Sequence, residues 1–212
     1  MGGDSRSILR PGSPLRALAG AAICTLVAGV TMAATSYLPG DVAVARTIQE
    51  LSPGTDWVPG FISTAYAPAK FVLMAIAVLG TWRLAGTRAA AVVLIFIVLE
   101  QLLGEASKSL FHRPRPSREL VTVMGNPSGF SFPSTFITLY SVTVGALVLV
   151  AWRFARGVKR GVVVAVGIAV LILAAAARVV PGAHWPSDVL GTYAICLSWL
   201  YAALSFLPRP LG

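Results

Sequence analysis

Arg178-Val179-Val180-Pro181-Gly182-Ala183-His184-Trp185-Pro186-Ser187-Asp188 is the stretch on which the reading of this chain turns. It separates two long apolar runs and sets an arginine, a histidine and an aspartate in one short loop. Ionisable groups beside a membrane span are costly to keep, which makes them candidate functional residues. Pro186 suits the first turn of a helix, where its missing N–H breaks no intrahelical bond. That start puts Asp188 in the opening turn, four positions after His184 and within its reach. A carboxylate so placed can hold one imidazole nitrogen and leave the other free as a nucleophile or base. The plainer alternative is a polar loop whose aspartate only caps the next helix.

The runs around this loop decide the fold class. Of 212 residues, 56% are hydrophobic and 12% charged, and the mean hydropathy is +0.78, well outside the range of soluble domains. Crossing a hydrocarbon core of about 30 Å takes about 20 apolar residues in a helix. Six runs qualify: Leu15 to Leu38, Pro68 to Leu84, Ala89 to Phe111, Ser134 to Trp152, Gly161 to Val180 and Ser187 to Leu207. The expectation is an all-α polytopic membrane protein, one domain over residues 1–212, with six transmembrane helices. The first run follows Arg6, Arg10 and Arg16 but is longer than the roughly 7–15 apolar residues of a secretory signal, so it reads as a helix. Asp41 to Pro59 mixes Val42, Val44, Ile48 and Leu51 with Asp41, Arg46 and Glu50, then breaks at Pro53-Gly54. It reads as a short outward interfacial helix and turn, with a plain surface connector as the simpler reading.

Basic residues fall unequally on alternate sides of these runs. Arg6, Arg10, Arg16, Arg83, Arg88, Arg153, Arg156, Lys159, Arg160 and Arg209 share one side. Arg46, Lys70, Lys108, Arg113, Arg115, Arg118 and Arg178 share the other. The positive-inside rule puts the first set in the cytoplasm, with both termini, and the loops 39–67, 112–133 and 181–186 outside. The net charge of +9 is spread in short clusters between apolar runs, which argues against nucleic acid as a partner. Cys24 and Cys196 each lie within an apolar run and define neither a disulfide framework nor a metal site. With His112 and His184 as the only histidines, zinc is not expected either.

Two further polar stretches fall on the outer side. Lys108-Ser109-Leu110-Phe111-His112-Arg113-Pro114-Arg115-Pro116 ends the third run, and its prolines force an extended path. Lys108 on the last helical turn and Arg115 on the stiff segment can approach one anion from two directions; as an alternative, these cations snorkel to lipid headgroups. Gly125 to Phe136 then leads into the fourth run, with Ser134 placed as helix N-cap. The unpaired N–H groups there form an anion site, or simply an ordinary capped start. Converging with Lys108, Arg115 and Arg178, such helix ends suit a phosphate group.

Lys108, six residues, Arg115-Pro116; Phe130-Ser131-Phe132-Pro133-Ser134; and Arg178, five residues, His184, three residues, Asp188 resemble the three motifs of the type 2 phosphatidic acid phosphatase superfamily, which includes bacterial lipid and polyprenyl phosphatases. The resemblance implies a phosphatase that uses no metal or other cofactor and passes through a phosphohistidine. His184 would attack phosphorus and Asp188 would orient it. Lys108, Arg115 and Arg178 would hold phosphate oxygens, with Ser134, Thr135 and the amides after them completing the cradle. The implied substrate is a phosphorylated lipid: polyprenyl phosphate or diphosphate, phosphatidate, or phosphatidylglycerol phosphate. Membrane lipids are the other expected partners, and no oligomeric state follows.

The second motif departs from the family pattern. Pro133-Ser134-Thr135-Phe136 stands where Pro-Ser-Gly-His is usual, and the family's histidine protonates the leaving group. Ala177 also replaces a common serine. A phenyl ring carries no transferable proton, and a general acid is worth about 100- to 10,000-fold, or ~3–5 kcal/mol of barrier. Four readings follow. Lipid diphosphates, whose leaving phosphate is already a stable anion, are favoured; or a neighbour such as His112 supplies the proton. Alternatively, the chain is a catalytically impaired member that binds or transports lipid phosphates, or Phe136 is an introduced change that disables the site. Glu105, three residues before Lys108, is expected to pair with it. Glu100, deeper in the same run, is expected to pair or pack with Gln101 or a neighbouring helix, with a proton relay as the alternative.

Overall fold

The structure, a computed structural model, describes residues 13–52 and 54–208. In lipid the backbone must satisfy its own hydrogen bonds, and every regular element among the described residues is helical. In chain order these are α1 (Pro14–Ala34), α2 (Asp41–Leu51), α3 (Trp57–Ser63) and α4 (Ala69–Phe111). After a long loop come α5 (Thr135–Phe154), α6 (Gly157–Val179) and α7 (Pro186–Ser205). A π turn, Ser141–Gly145, lies within α5. Five of the seven, α1 and α4 to α7, are long and apolar enough to cross a membrane, and the protein is a multi-pass membrane protein.

The second and third apolar runs both fall within α4, as two helical arms on either side of Gly86. That element is bent back on itself. At Gly86 the backbone leaves the helix (φ 81°, ψ −177°), a conformation open to glycine because it lacks a Cβ. Lys70 Nζ donates to Gln101 Oε1 at 2.7 Å, although a straight helix between them would span about 46 Å. Met74 and Ala77 on the first arm pack with Val93 and Ile97 on the second.

α5 is the axis of the bundle. In its most apolar window 67% of residues are buried, against 22% in α4 and α6, as expected of a helix that is apolar all round. α1 lies along α7, where Trp199 Nε1 donates to Thr25 Oγ1 at 2.8 Å. Leu26, Val30, Phe71, Leu102 and Ile172 remain exposed on the outer faces, the surface a bilayer covers.

Several boundaries differ from the apolar runs. α1 ends at Ala34 because Thr35 is extended (φ −134°), and α6 starts early enough to include Lys159 and Arg160. The segment from Asp41 folds into two short helices, where one helix and a turn were expected; Pro53 lies outside the described residues. Nor is α2 a surface connector. Asp41 is buried, and Gln49 Nε2 donates to Thr122 O at 2.7 Å and Val180 O at 3.0 Å. Gln49 Oε1 accepts from Thr122 N at 3.2 Å, and Arg46 Nε donates to Leu120 O at 2.7 Å. α2 thus ties together the two loops that carry the polar motifs.

Candidate active site

The loop before α7 owes its shape to three residues. Pro186 begins the helix, and Trp185, in the extended region (φ −70°, ψ 149°), is its N-cap. Asp188 Oδ2 accepts from Trp185 N at 2.8 Å, so the aspartate closes the helix start. Gly182 has φ +63°, and a Cβ there would lie 2.2 Å from Thr122 O. Only glycine lets the two loops approach this closely.

His184 is carried inward by this loop and is 2% exposed. Its Nε2 lies 3.3 Å from Arg115 Nη1 and 3.3 Å from Ser134 Oγ. A guanidinium can only donate, so Nε2 must present a lone pair and the proton of the neutral ring sits on Nδ1. Nδ1 faces Asp188 Oδ2 at 3.8 Å, beyond hydrogen-bond range. The expected imidazole–carboxylate hydrogen bond is therefore not made at this distance, and Trp185 N and Arg113 engage the carboxylate. Burial, then the positive charges of Arg178, Arg115 and Lys108, push the His184 pKa well below histidine's ordinary 6.5. The imidazole stays neutral and nucleophilic while the same three cations make the space beside it attractive to an anion.

Each cation is positioned by a different element. Lys108 on the last turn of α4 pairs with Glu105 at 3.0 Å, as the spacing predicts. Arg115 is held by carbonyls: Nε donates to Ser128 O at 2.9 Å and Gly129 O at 3.2 Å, and Nη1 to Ala183 O at 2.6 Å. Arg178, near the end of α6, lies with its guanidinium carbon 5.3 Å from the Phe136 ring centroid, and its Nε has no hydrogen-bond partner among the described residues.

Ser134 holds the N-cap position of α5, but its hydroxyl does not cap that helix; it turns to His184. Its own N–H donates to Thr192 Oγ1 at 3.1 Å. The opening N–H groups of α5 thus lack a side-chain cap and suit an anion. Thr135 and Phe136 line a cavity of about 350 Å³ with Arg178, Tyr66, Lys70 and Glu100. Phe136 is buried and stacks on Tyr140 at 4.8 Å, so its ring is committed to an aromatic cluster and carries no transferable proton. Ala177 is fully buried and adds no polar group. His112 is not brought in: it caps α4 at φ 49°, is exposed, packs edge-on to Phe130 at 4.6 Å and does not line the cavity.

Arg113 and Asp41 are the site residues that sequence reasoning missed. Arg113 is 1% exposed and donates to Asp188 Oδ1, to Ser187 Oγ at 3.0 Å and to Asp41 Oδ2 at 3.3 Å. Asp41 in turn accepts from Ser187 N at 2.9 Å and Ser187 Oγ at 2.6 Å. One guanidinium between two carboxylates fixes Asp188 from behind. The Arg-Pro-Arg run marks this arginine as unusual, but its partners come from 72 to 75 residues away in the chain.

The PAP2 superfamily profile matches residues 89–210, which include all three motifs. A crystal structure of a transmembrane PAP2-type phosphatidylglycerolphosphate phosphatase from Bacillus subtilis superposes with a TM-score of 0.65 at 18% identity, covering 88% of this chain and 95% of that one. No curated protein sequence matches. With the family profile spanning more than half of the chain and its motifs gathered around His184, this protein belongs to the PAP2 superfamily.

Proposed function

We propose that this protein hydrolyses a phosphorylated membrane lipid through a phosphohistidine at His184. The observation that carries the reading is buried His184, whose Nε2 lies 3.3 Å from both Arg115 Nη1 and Ser134 Oγ. A phosphoryl group bound by Lys108, Arg115 and Arg178 would set its phosphorus against Nε2. Attack forms the N–P bond as the bond to the lipid oxygen breaks, and charge developing on the phosphoryl oxygens falls on the guanidinium groups and the α5 amides. Asp188 stabilises the Nδ1 proton as the ring becomes cationic, in the manner of a buried carboxylate behind a catalytic histidine. Water then attacks the phosphohistidine, returning Nε2 and releasing inorganic phosphate.

The neighbour from Bacillus subtilis is described as a phosphatidylglycerolphosphate phosphatase, which supports a phospholipid phosphate as the substrate. The basic residues of the 83–88 and 153–160 connections support a cytoplasmic side for those connections and an outward-facing site; Arg6, Arg10 and Arg209, counted with them, lie outside the described residues. The second reading, a lipid-phosphate binder or transporter, rests on Phe136, whose ring fills the proton-donor position. Purified protein assayed for phosphate release from lipid mono- and diphosphates separates the two. Hydrolysis requires release by wild type and none by His184→Ala; a binder retains lipid phosphate with no release.

A further inference from the structure

The cavity beside Arg178 and Phe136 meets a second one. This groove, about 360 Å³, is lined mostly by apolar surface from α4, α5, α7 and the loop before α5, including Leu99, Leu103, Phe111, Phe132 and Trp199. Among the described residues the polar cavity and the apolar groove share two positions, Glu100 and Gly104. Gly104 has no side chain, so Glu100 alone presents a titratable group at the junction. A Cβ on Gly104 would lie 3.4 Å from Glu100 Oε1 and 3.3 Å from Thr135 Cγ2. The missing side chain is what lets this carboxyl face the start of α5. Glu100 Oε2 is held by Gln101 Nε2, and Gln101 is fixed in turn by Lys70 from the other arm of α4.

In a lipid phosphate the bond to be cleaved joins a polar head to a hydrocarbon chain. Arg178 and Thr135 belong to the cationic cradle and also line the polar cavity, so a head held in the cradle with its chain in the apolar groove would bring the leaving oxygen toward Glu100. Resting on the hydrolytic reading above, we infer that Glu100 donates the proton to that leaving oxygen, the role left vacant by Phe136. As Nε2 of His184 bonds to phosphorus, the electron pair of the P–O bond passes to the lipid oxygen. The carboxyl proton at Glu100 Oε1 goes to that oxygen, so a free alcohol leaves and Glu100 becomes a carboxylate. In the second half, water attacks the phosphohistidine, the P–N bond breaks with its electron pair returning to Nε2, and phosphate leaves with the water's oxygen and protons. Glu100 recovers its proton from bulk water. The charged and titratable groups facing Glu100 are Lys70 on the first arm of α4, Glu105 on its own arm, Tyr66 before α4, Arg178 on α6 and Cys196 on α7.

The test compares wild type, Glu100→Gln and the double variant Glu100→Gln with Phe136→His, each on a lipid monophosphate and on the matching diphosphate. A lost general acid is felt by an alkoxide and hardly by a leaving phosphate. Glu100→Gln should therefore lower monophosphate turnover by roughly 100-fold or more, leave diphosphate turnover close to wild type, and lose the alkaline fall in the monophosphate rate. The double variant, with an imidazole in the same cavity, should recover monophosphate turnover. Equal losses on both substrates, or no rescue by Phe136→His, would mark Glu100 as structural and overturn the inference. Wild-type release that Glu100→Gln leaves unchanged on both substrates would overturn it while leaving the hydrolytic reading intact; no release by wild type would overturn both.

Discussion

His184 is buried among positive charges, and that setting makes a prediction independent of turnover. Protonating it would add a fourth charge beside Arg178, Arg115 and Lys108, so the folded-state pKa is depressed and the neutral form persists below the ordinary value. When pH is lowered through about 6.5, the His184 ring signals in an NMR titration, assigned by their loss in His184→Gln, should stay at neutral-imidazole shifts. Titration at the ordinary value would show the ring to be solvated. Arg113 makes the complementary case for a buried charge. Arg113→Ala would leave Asp41 and Asp188 buried without their cation, and breaking such a pair costs about 3–5 kcal/mol. A large fall in Tm in detergent is expected, greater than for Arg118→Ala, whose guanidinium bonds only the exposed Gly125 O and Asn126 Oδ1. Lys108, Arg115, Ser134, Arg178, His184 and Asp188 were legible in sequence because each sits at a fixed spacing within a motif. Arg113 was not, because its role depends on Asp41, a residue that local pattern assigns to a surface helix.

At the scale of elements, the site is a meeting of helix ends tied by loops. α5 and α7 both begin beside His184, and α4 and α6 both end there, delivering Lys108 and Arg178. Gly182 is the narrowest point of this assembly. Gly182→Ala would combine a left-handed φ, worth about 1–2 kcal/mol for a residue with a Cβ, with a backbone collision at Thr122 O. Lower Tm and weakened phosphate binding are expected together, because the loop carrying His184 must move. Unchanged binding would show that this loop does not set the site. The reversal at Gly86 was foreshadowed by two apolar runs with Gly86 between them, since a 43-residue continuous span exceeds any bilayer. The clamping by α2 was not foreshadowed. Its amphipathic pattern fits an interfacial helix equally well, and only Gln49, bridging Thr122 and Val180, shows what it holds.

On the scale of the whole molecule, an apolar bundle surrounds one polar chamber placed near one end of its spans. The basic connections predict that this end faces outward. Ser117, exposed in the loop that follows Arg115, provides the check. Ser117→Cys should react with a membrane-impermeant maleimide in intact cells, and protection until the membrane is opened would reverse the topology. Hydrolysis through His184 requires that phosphorus be bonded to its imidazole during turnover. Protein mixed briefly with a lipid phosphate labelled on phosphorus, then quenched with alkali and digested, should carry an acid-labile, alkali-stable label on the peptide containing His184. His184→Ala should carry none. Phosphate release with no labelled His184 peptide at any quench time would contradict the mechanism.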